Sequence, residues 1–110
     1  MGEIAFAAPI VPGKEDAWAD FASQVTGARK GEFDDFNARH GLTDHRAWLQ
    51  QNPDGSSMVL VVAEGPGAET FVGGFATSDH EFDKWFAAMV VDVHGFDFSG
   101  PPPPPAERRI

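Results

Sequence analysis

Residues 58–63 read Met-Val-Leu-Val-Val-Ala, six apolar side chains with no polar residue among them. Asn52-Pro53-Asp54-Gly55 precedes the run and Gly65-Pro66-Gly67 follows it. A short apolar run bounded by turn signals, rich in β-branched residues, reads as a strand over residues 57–64. Successive strand side chains point to opposite faces, so this strand is apolar on both. A sheet with one solvated face alternates polar with apolar; this one does not. Residues 3–11 show the same property, with Ile4, Phe6, Ala8 and Ile10 on one face and Ala5, Ala7 and Val11 on the other. Whatever this chain folds into must cover both sides of its sheet.

The rest of the chain supplies cover for one side. Trp18, Phe21, Ala22 and Val25 stand at helical spacing and predict a helix from Gly13 to about Gln24, with Lys14, Glu15, Asp16 and Asp20 facing away. A second helix is expected from Ala28 to His40, with Phe33, Phe36 and His40 on its inner stripe and Gly41 as the left-handed terminator. Residues 45–51 read as a strand that forms a hairpin with 57–64. Residues 68–76 predict a short helix. Ser78 and Glu81 suggest a capping box that starts a last helix near Asp79, with Phe82, Phe86, Met89, Val90 and Val93 inside and His94-Gly95 at its end. Phe96-Asp97-Phe98 is a candidate fourth strand, and the five prolines at 101–105 predict a stiff polyproline tail outside the core. The expected fold class is α+β, with the ferredoxin-like order βαββαβ, split helices and an antiparallel sheet. Residues 1–98 form the domain and 99–110 the tail.

Helices on one face leave the other bare. Four to six apolar side chains there, at about 1.5–3 kcal/mol each when buried, amount to roughly 10 kcal/mol unused in a monomer, which is large against the net stability of a small domain. A homodimer packed sheet to sheet is the expected solution.

Composition removes several function classes. The chain has 110 residues, enough for one domain, and no cysteine, which excludes disulfides, thiolate metal sites and thiol catalysis. A net charge of −9 with eight Lys and Arg in total gives no basic surface for nucleic acid or anionic membrane. The N-terminus carries no basic segment ahead of an apolar run, and Pro9 and Pro12 interrupt the apolar residues, so no targeting or spanning segment is expected and the cytoplasm is the default location. Ten Phe and three Trp stand beside no Tyr, so the apolar mass is ring-rich and without hydroxyls.

The Pro-Gly-Lys-Glu stretch after the first strand, Trp48-Leu49-Gln50 before Asn52-Pro53-Asp54-Gly55, and Phe82-Asp83-Lys84-Trp85-Phe86 leading to Val93-His94-Gly95 resemble a family of small bacterial proteins. The likeness covers about residues 3–98. That family looks like a branch of the dimeric α+β-barrel superfamily, which includes antibiotic-biosynthesis monooxygenases and EthD-like proteins. The resemblance implies a ferredoxin-like protomer, a sheet-to-sheet homodimer and a pocket between sheet and helices. It implies no single activity, because one fold hosts many.

His94 and His40 are the candidate catalytic residues: each follows the apolar stripe of a helix, where a half-buried imidazole can act as a base. The competing reading is a structural cap on the helix end. Trp48 and Gln50 share a strand face and would stack and orient a flat ligand if that face meets the pocket; the opposite parity puts His45, Ala47 and Leu49 inside, and both stay open. Phe82, Trp85 and Phe86 are the other candidate ligand-binding residues, and core packing is their plainer role. His45 and His80 read as exposed. No metal-ligand spacing, phosphate loop or nucleophile elbow is present, so no metal and no cofactor are expected. Three functions fit: a dimer binding a small flat organic molecule in an aromatic pocket, a cofactor-independent oxygenase, isomerase or cyclase with a His base, and a structural protein without ligand.

Overall fold

The computed structural model describes residues 2–99 and 104–110. The elements follow as β1 (Glu3–Pro9), α1 (Glu15–Thr26), α2 (Lys30–Arg39), β2 (Asp44–Gln51), β3 (Ser57–Glu64), α3 (Phe71–Ala76) and α4 (Glu81–His94). The three strands form one antiparallel sheet in the order β1-β3-β2. The all-apolar strand is thus the central one. β2 and β3 form the expected hairpin, closed by Asn52 N–H donating to Ser56 O at 2.8 Å, with Gly55 at φ 90°. β1 pairs with the other edge of β3, so β1 and β2 run parallel with β3 between them and α1-α2 as the crossover.

Register decides what each face carries. Phe6, Val61 and Ala47 form one cross-strand row, Ala8, Val59 and Leu49 the next, and Ile4, Ala63 and His45 a third. These rows lie under the helices, where Val59, Val61 and Ala63 are buried. The other face carries Ala5-Val62-Arg46, Ala7-Leu60-Trp48 and Pro9-Met58-Gln50. No described helix packs on it, and Leu60 and Trp48 are 36% and 48% exposed.

The helices close over a ring-dominated core. Phe36, fully buried, is its centre, with Phe86 at 4.5 Å, Phe82 at 5.6 Å and Phe75 at 5.8 Å between ring centroids. A second cluster of Ile10, Val59, Val61 and Val93 ties β1 and β3 to the end of α4. The turn at 65–68 threads tightly against 41–43: Gly67 N–H donates to Gly41 O at 3.0 Å, and a Cβ on Gly67 would overlap the His40 carbonyl.

Several local expectations are corrected. α4 begins at Glu81 and not at Asp79, because His80 is its N-cap: its Nδ1 accepts from Phe82 N–H at 3.3 Å, and Ser78 Oγ instead accepts from His80 N–H. At its far end Gly95 is left-handed as expected, at φ 69°. Phe96-Asp97-Phe98 is not a strand. Asp97 Oδ1 accepts from both the backbone N–H and the hydroxyl of Ser99, a local turn that competes with a sheet ladder, and Phe98 packs edge-on to Phe75 at 5.7 Å. The β1 edge receives the C-terminal segment instead, with Ala106 N–H donating to Ala5 O at 2.6 Å. Residues 101–103 of the proline run lie outside the described residues. Among the described residues, no helix is long and apolar enough to cross a membrane.

Candidate functional site

A cavity of about 190 Å³ lies between the sheet and α1. Its floor is the helix-side face of the sheet, from Phe6 and Ala8 to Val59 and Val61. Its roof is the inner stripe of α1: Trp18, Phe21, Ala22 and Val25. Phe6, Trp18 and Phe21 are only half-buried despite pointing inward, because part of each ring faces this space. Phe33, Phe71, Phe75 and Phe86 close the side toward α2, α3 and α4. The lining is almost wholly carbon.

Beside Trp18, Thr26 and Arg46, two imidazoles bring polar atoms to the lining, and the register sets them at opposite ends. His45 aligns with Ala63 and Ile4, while His94 donates from Nδ1 to the carbonyl of Pro9 at 2.9 Å. Ile4 and Pro9 are five residues apart on β1, roughly 16 Å. At His45, Nδ1 lies 3.0 Å from Oδ1 of Asn37, an acceptor, so Nδ1 carries the proton. That side of His45 borders a shallow polar groove with Asn37, Asp34 and Asp44. Burial pushes the His45 pKa down to about 4, against a smaller opposing pull from the Asp44 carboxylate. Burial also lowers His94, with its bond to Pro9 opposing. Both rings are neutral at pH 7, and in both Nε2 is the lone-pair nitrogen.

The residues singled out in the sequence divide between four places. His94 and Phe86 line the cavity. His40 does not: its ring packs on Phe36 at 4.6 Å, and its Nε2 is 2.9 Å from Oδ2 of Asp83 in a cluster outside the cavity. Burial would raise the Asp83 carboxyl, but hydrogen bonds from Arg39, Ser78 and His40 outweigh it and hold it well below the usual carboxylate range. Phe82 is buried in the core, and Trp85 lies between Phe21 and the Arg29 guanidinium, 4.4 Å from its ring centre. Trp48 and Gln50 stand on the open sheet face, where Arg46 covers Trp48 at 5.6 Å.

His45, read as exposed and placed inside under only one of the two strand parities left open, lines the cavity. Asp44, Arg46, Trp48 and Gln50 share one face of β2 and His45, Ala47 and Leu49 the other; Ala47 and Leu49 stay exposed on this edge strand, so only the pairing with β3, which sets His45 beside buried Ala63, puts the imidazole under the helices. Among the described residues no group of three His, Asp or Glu side chains is arranged to hold a metal. No protein-family model and no curated protein matches this chain.

Proposed function

We propose that the protein binds a small, flat organic molecule in the cavity beneath α1, and that it does so as a ferredoxin-like protomer of a sheet-to-sheet homodimer. The cavity itself carries the first half of this reading. Protein interiors pack like organic crystals and leave few voids larger than a water. An unfilled apolar void of about 190 Å³ sacrifices contacts and stability, whereas an apolar cavity of roughly 150 Å³ is known to stay dry and take up benzene. A one-ring or fused two-ring molecule matches the space and the ring-lined walls. The open face of Ala5, Ala7, Met58, Leu60, Val62 and Trp48 supports the second half, because nothing else described in the chain covers it.

Titration with naphthalene, followed by amide and methyl NMR, tests the cavity. Saturable shifts at Phe6, Ala22, Val61 and Phe86 are expected, and Ala22→Leu, which fills the roof, abolishes them. Shifts confined to the open sheet face, or none that saturate, would exclude this reading.

One observation favours catalysis as the second reading. His94 holds Nδ1 in a fixed hydrogen bond and leaves Nε2 unprotonated at neutral pH, the state from which a general base acts, whereas burial makes His45, lowered to about 4, a weak base. His40, committed to Asp83, stands outside the cavity.

A further inference from the structure

Resting on that reading of the cavity, we propose that its ligand is a hydroxyl-bearing ring of the phenol or enol type, which donates a hydrogen bond to Nε2 of His45. His45 Nδ1–H is spent on Asn37. Among the described residues its Nε2 has no hydrogen-bond partner, yet no fully buried side-chain nitrogen or oxygen there lacks one. Nε2 therefore keeps open surface. With Nδ1 turned to the Asn37 groove, we assign that surface to the cavity, which His45 also lines; Phe71 and Phe33 flank the ring at 5.4 and 5.2 Å. His94 repeats the pattern: Nδ1–H is spent on Pro9 O and Nε2 is free.

Among the described residues the one lining side-chain donor without a hydrogen-bond partner is the neutral indole N–H of Trp18. The hydroxyl of Thr26 is spent on Ala22 O at 2.8 Å. Arg46 borders the cavity, but its guanidinium is held on the far face of the sheet by Asp44 and Glu64, at 2.6 and 2.8 Å. No other cationic side chain lines the space. A carboxylate or phosphate would be desolvated there with no cation to satisfy it. A neutral hydroxyl on a ring meets a lone pair at His45, and a second hydroxyl at the far end would meet another at His94. The protein thus discriminates by polarity as well as by shape.

Three probes of one ring system test this: naphthalene, 2-naphthol and 2-naphthoate, measured by calorimetry or naphthol fluorescence on the whole chain. In the unaltered protein 2-naphthol should bind about tenfold more tightly than naphthalene, the effect of one hydrogen bond to a desolvated acceptor, and 2-naphthoate more weakly than either. In His45→Phe the preference for naphthol over naphthalene should shrink below about threefold, whereas His94→Phe should leave most of it. Equal affinity for naphthol and naphthalene, or tightest binding by naphthoate, would overturn the proposal without any variant having to fold, and the cavity reading would survive. A preference that persists in His45→Phe would overturn it too. Saturable binding by none of the three would remove the cavity reading and this proposal together.

Discussion

Arg39 of α2 grips Asp83 of α4 with both terminal guanidinium nitrogens, Nη1 to Oδ2 at 2.9 Å and Nη2 to Oδ1 at 2.7 Å, and the carboxylate has no solvent exposure. His40 adds a third bond to the same carboxylate. Asp83 is buried in a helix otherwise apolar on its inner side, so its partners decide whether it is tolerated. Breaking such a cluster leaves a half-exposed Arg39 that water partly rescues. Asp83→Ala should therefore cost about 2–3 kcal/mol, at the lower end for buried pairs. A urea melt showing less than about 1 kcal/mol would mean that the clamp contributes little net stability.

Stability should depend on pH through the cavity. The His45 pKa is lower folded, about 4, than unfolded, about 6.5. The unfolded chain therefore binds the proton first. The contribution is fully present above about pH 6.5 and is lost as pH falls toward 4, on the order of 2–3 kcal/mol in total. His94, lowered in the same direction, adds to this window. Asp83, held below the usual carboxylate range, acts only at still lower pH. Melting followed from pH 7 to 4 should show the decline, and His45→Phe should flatten it; an unchanged slope in that variant would place the titration elsewhere.

The crossing of 65–68 over 41–43 leaves no room for a side chain at Gly67. Gly67→Ala must push back the His40 backbone, and with it the imidazole that reaches Asp83. Overpacking against backbone costs about 1–3 kcal/mol or more. Thermal denaturation should show a loss at least as large as that of Asp83→Ala, whereas Gly31→Ala, where a Cβ meets nothing within 4 Å, should be neutral or stabilising.

The proposed dimer has a direct test at Leu60, central on the open face between Ala7 and Trp48. Leu60→Asp adds charge where the monomer is already exposed, so the protomer should keep its helical circular dichroism. In the dimer the same charge would be buried without a partner. Light scattering at micromolar concentration should give twice the chain mass for the unaltered protein and a single chain mass for Leu60→Asp. A monomeric unaltered protein would end the dimer proposal.

The two-faced apolar run at 58–63 made β3 legible as a strand, and its lack of polar alternation foretold the open face. Helix existence was equally plain, because Trp18, Phe21 and Val25, or Phe82, Phe86 and Val93, repeat at a period that only a helix satisfies. What escaped was set by single hydrogen bonds. The start of α4 turned on His80, in place of Ser78, being the N-cap, with its Nδ1 accepting from Phe82 N–H. The missing fourth strand turned on Asp97 binding Ser99 in place of leaving its backbone free. The site was harder still, since β2 carries rings on both parities, and whether Trp48 or His45 faces the helices depends on a one-residue register that only pairing with β3 decides. His40 and His94 look alike in sequence, each at a helix end. They part in space because Asp83 lies beside one and the Pro9 carbonyl beside the other.

The segment that meets β1 ends this sheet in a particular way. Ala106 makes its bond to Ala5 directly behind Pro104 and Pro105, residues with no N–H to give. A sheet edge recruits further strands by offering unpaired backbone groups in sequence, and a proline-led segment laid there caps the ladder without extending it. On that side the fold resists templating: a neighbouring chain that approached β1 would find an occupied carbonyl and, behind it, a backbone unable to donate. Open-ended stacking along the hydrogen-bonding direction is thereby disfavoured on this side, and in the proposed dimer the contact would form through the flat apolar face instead, an arrangement that closes on two copies.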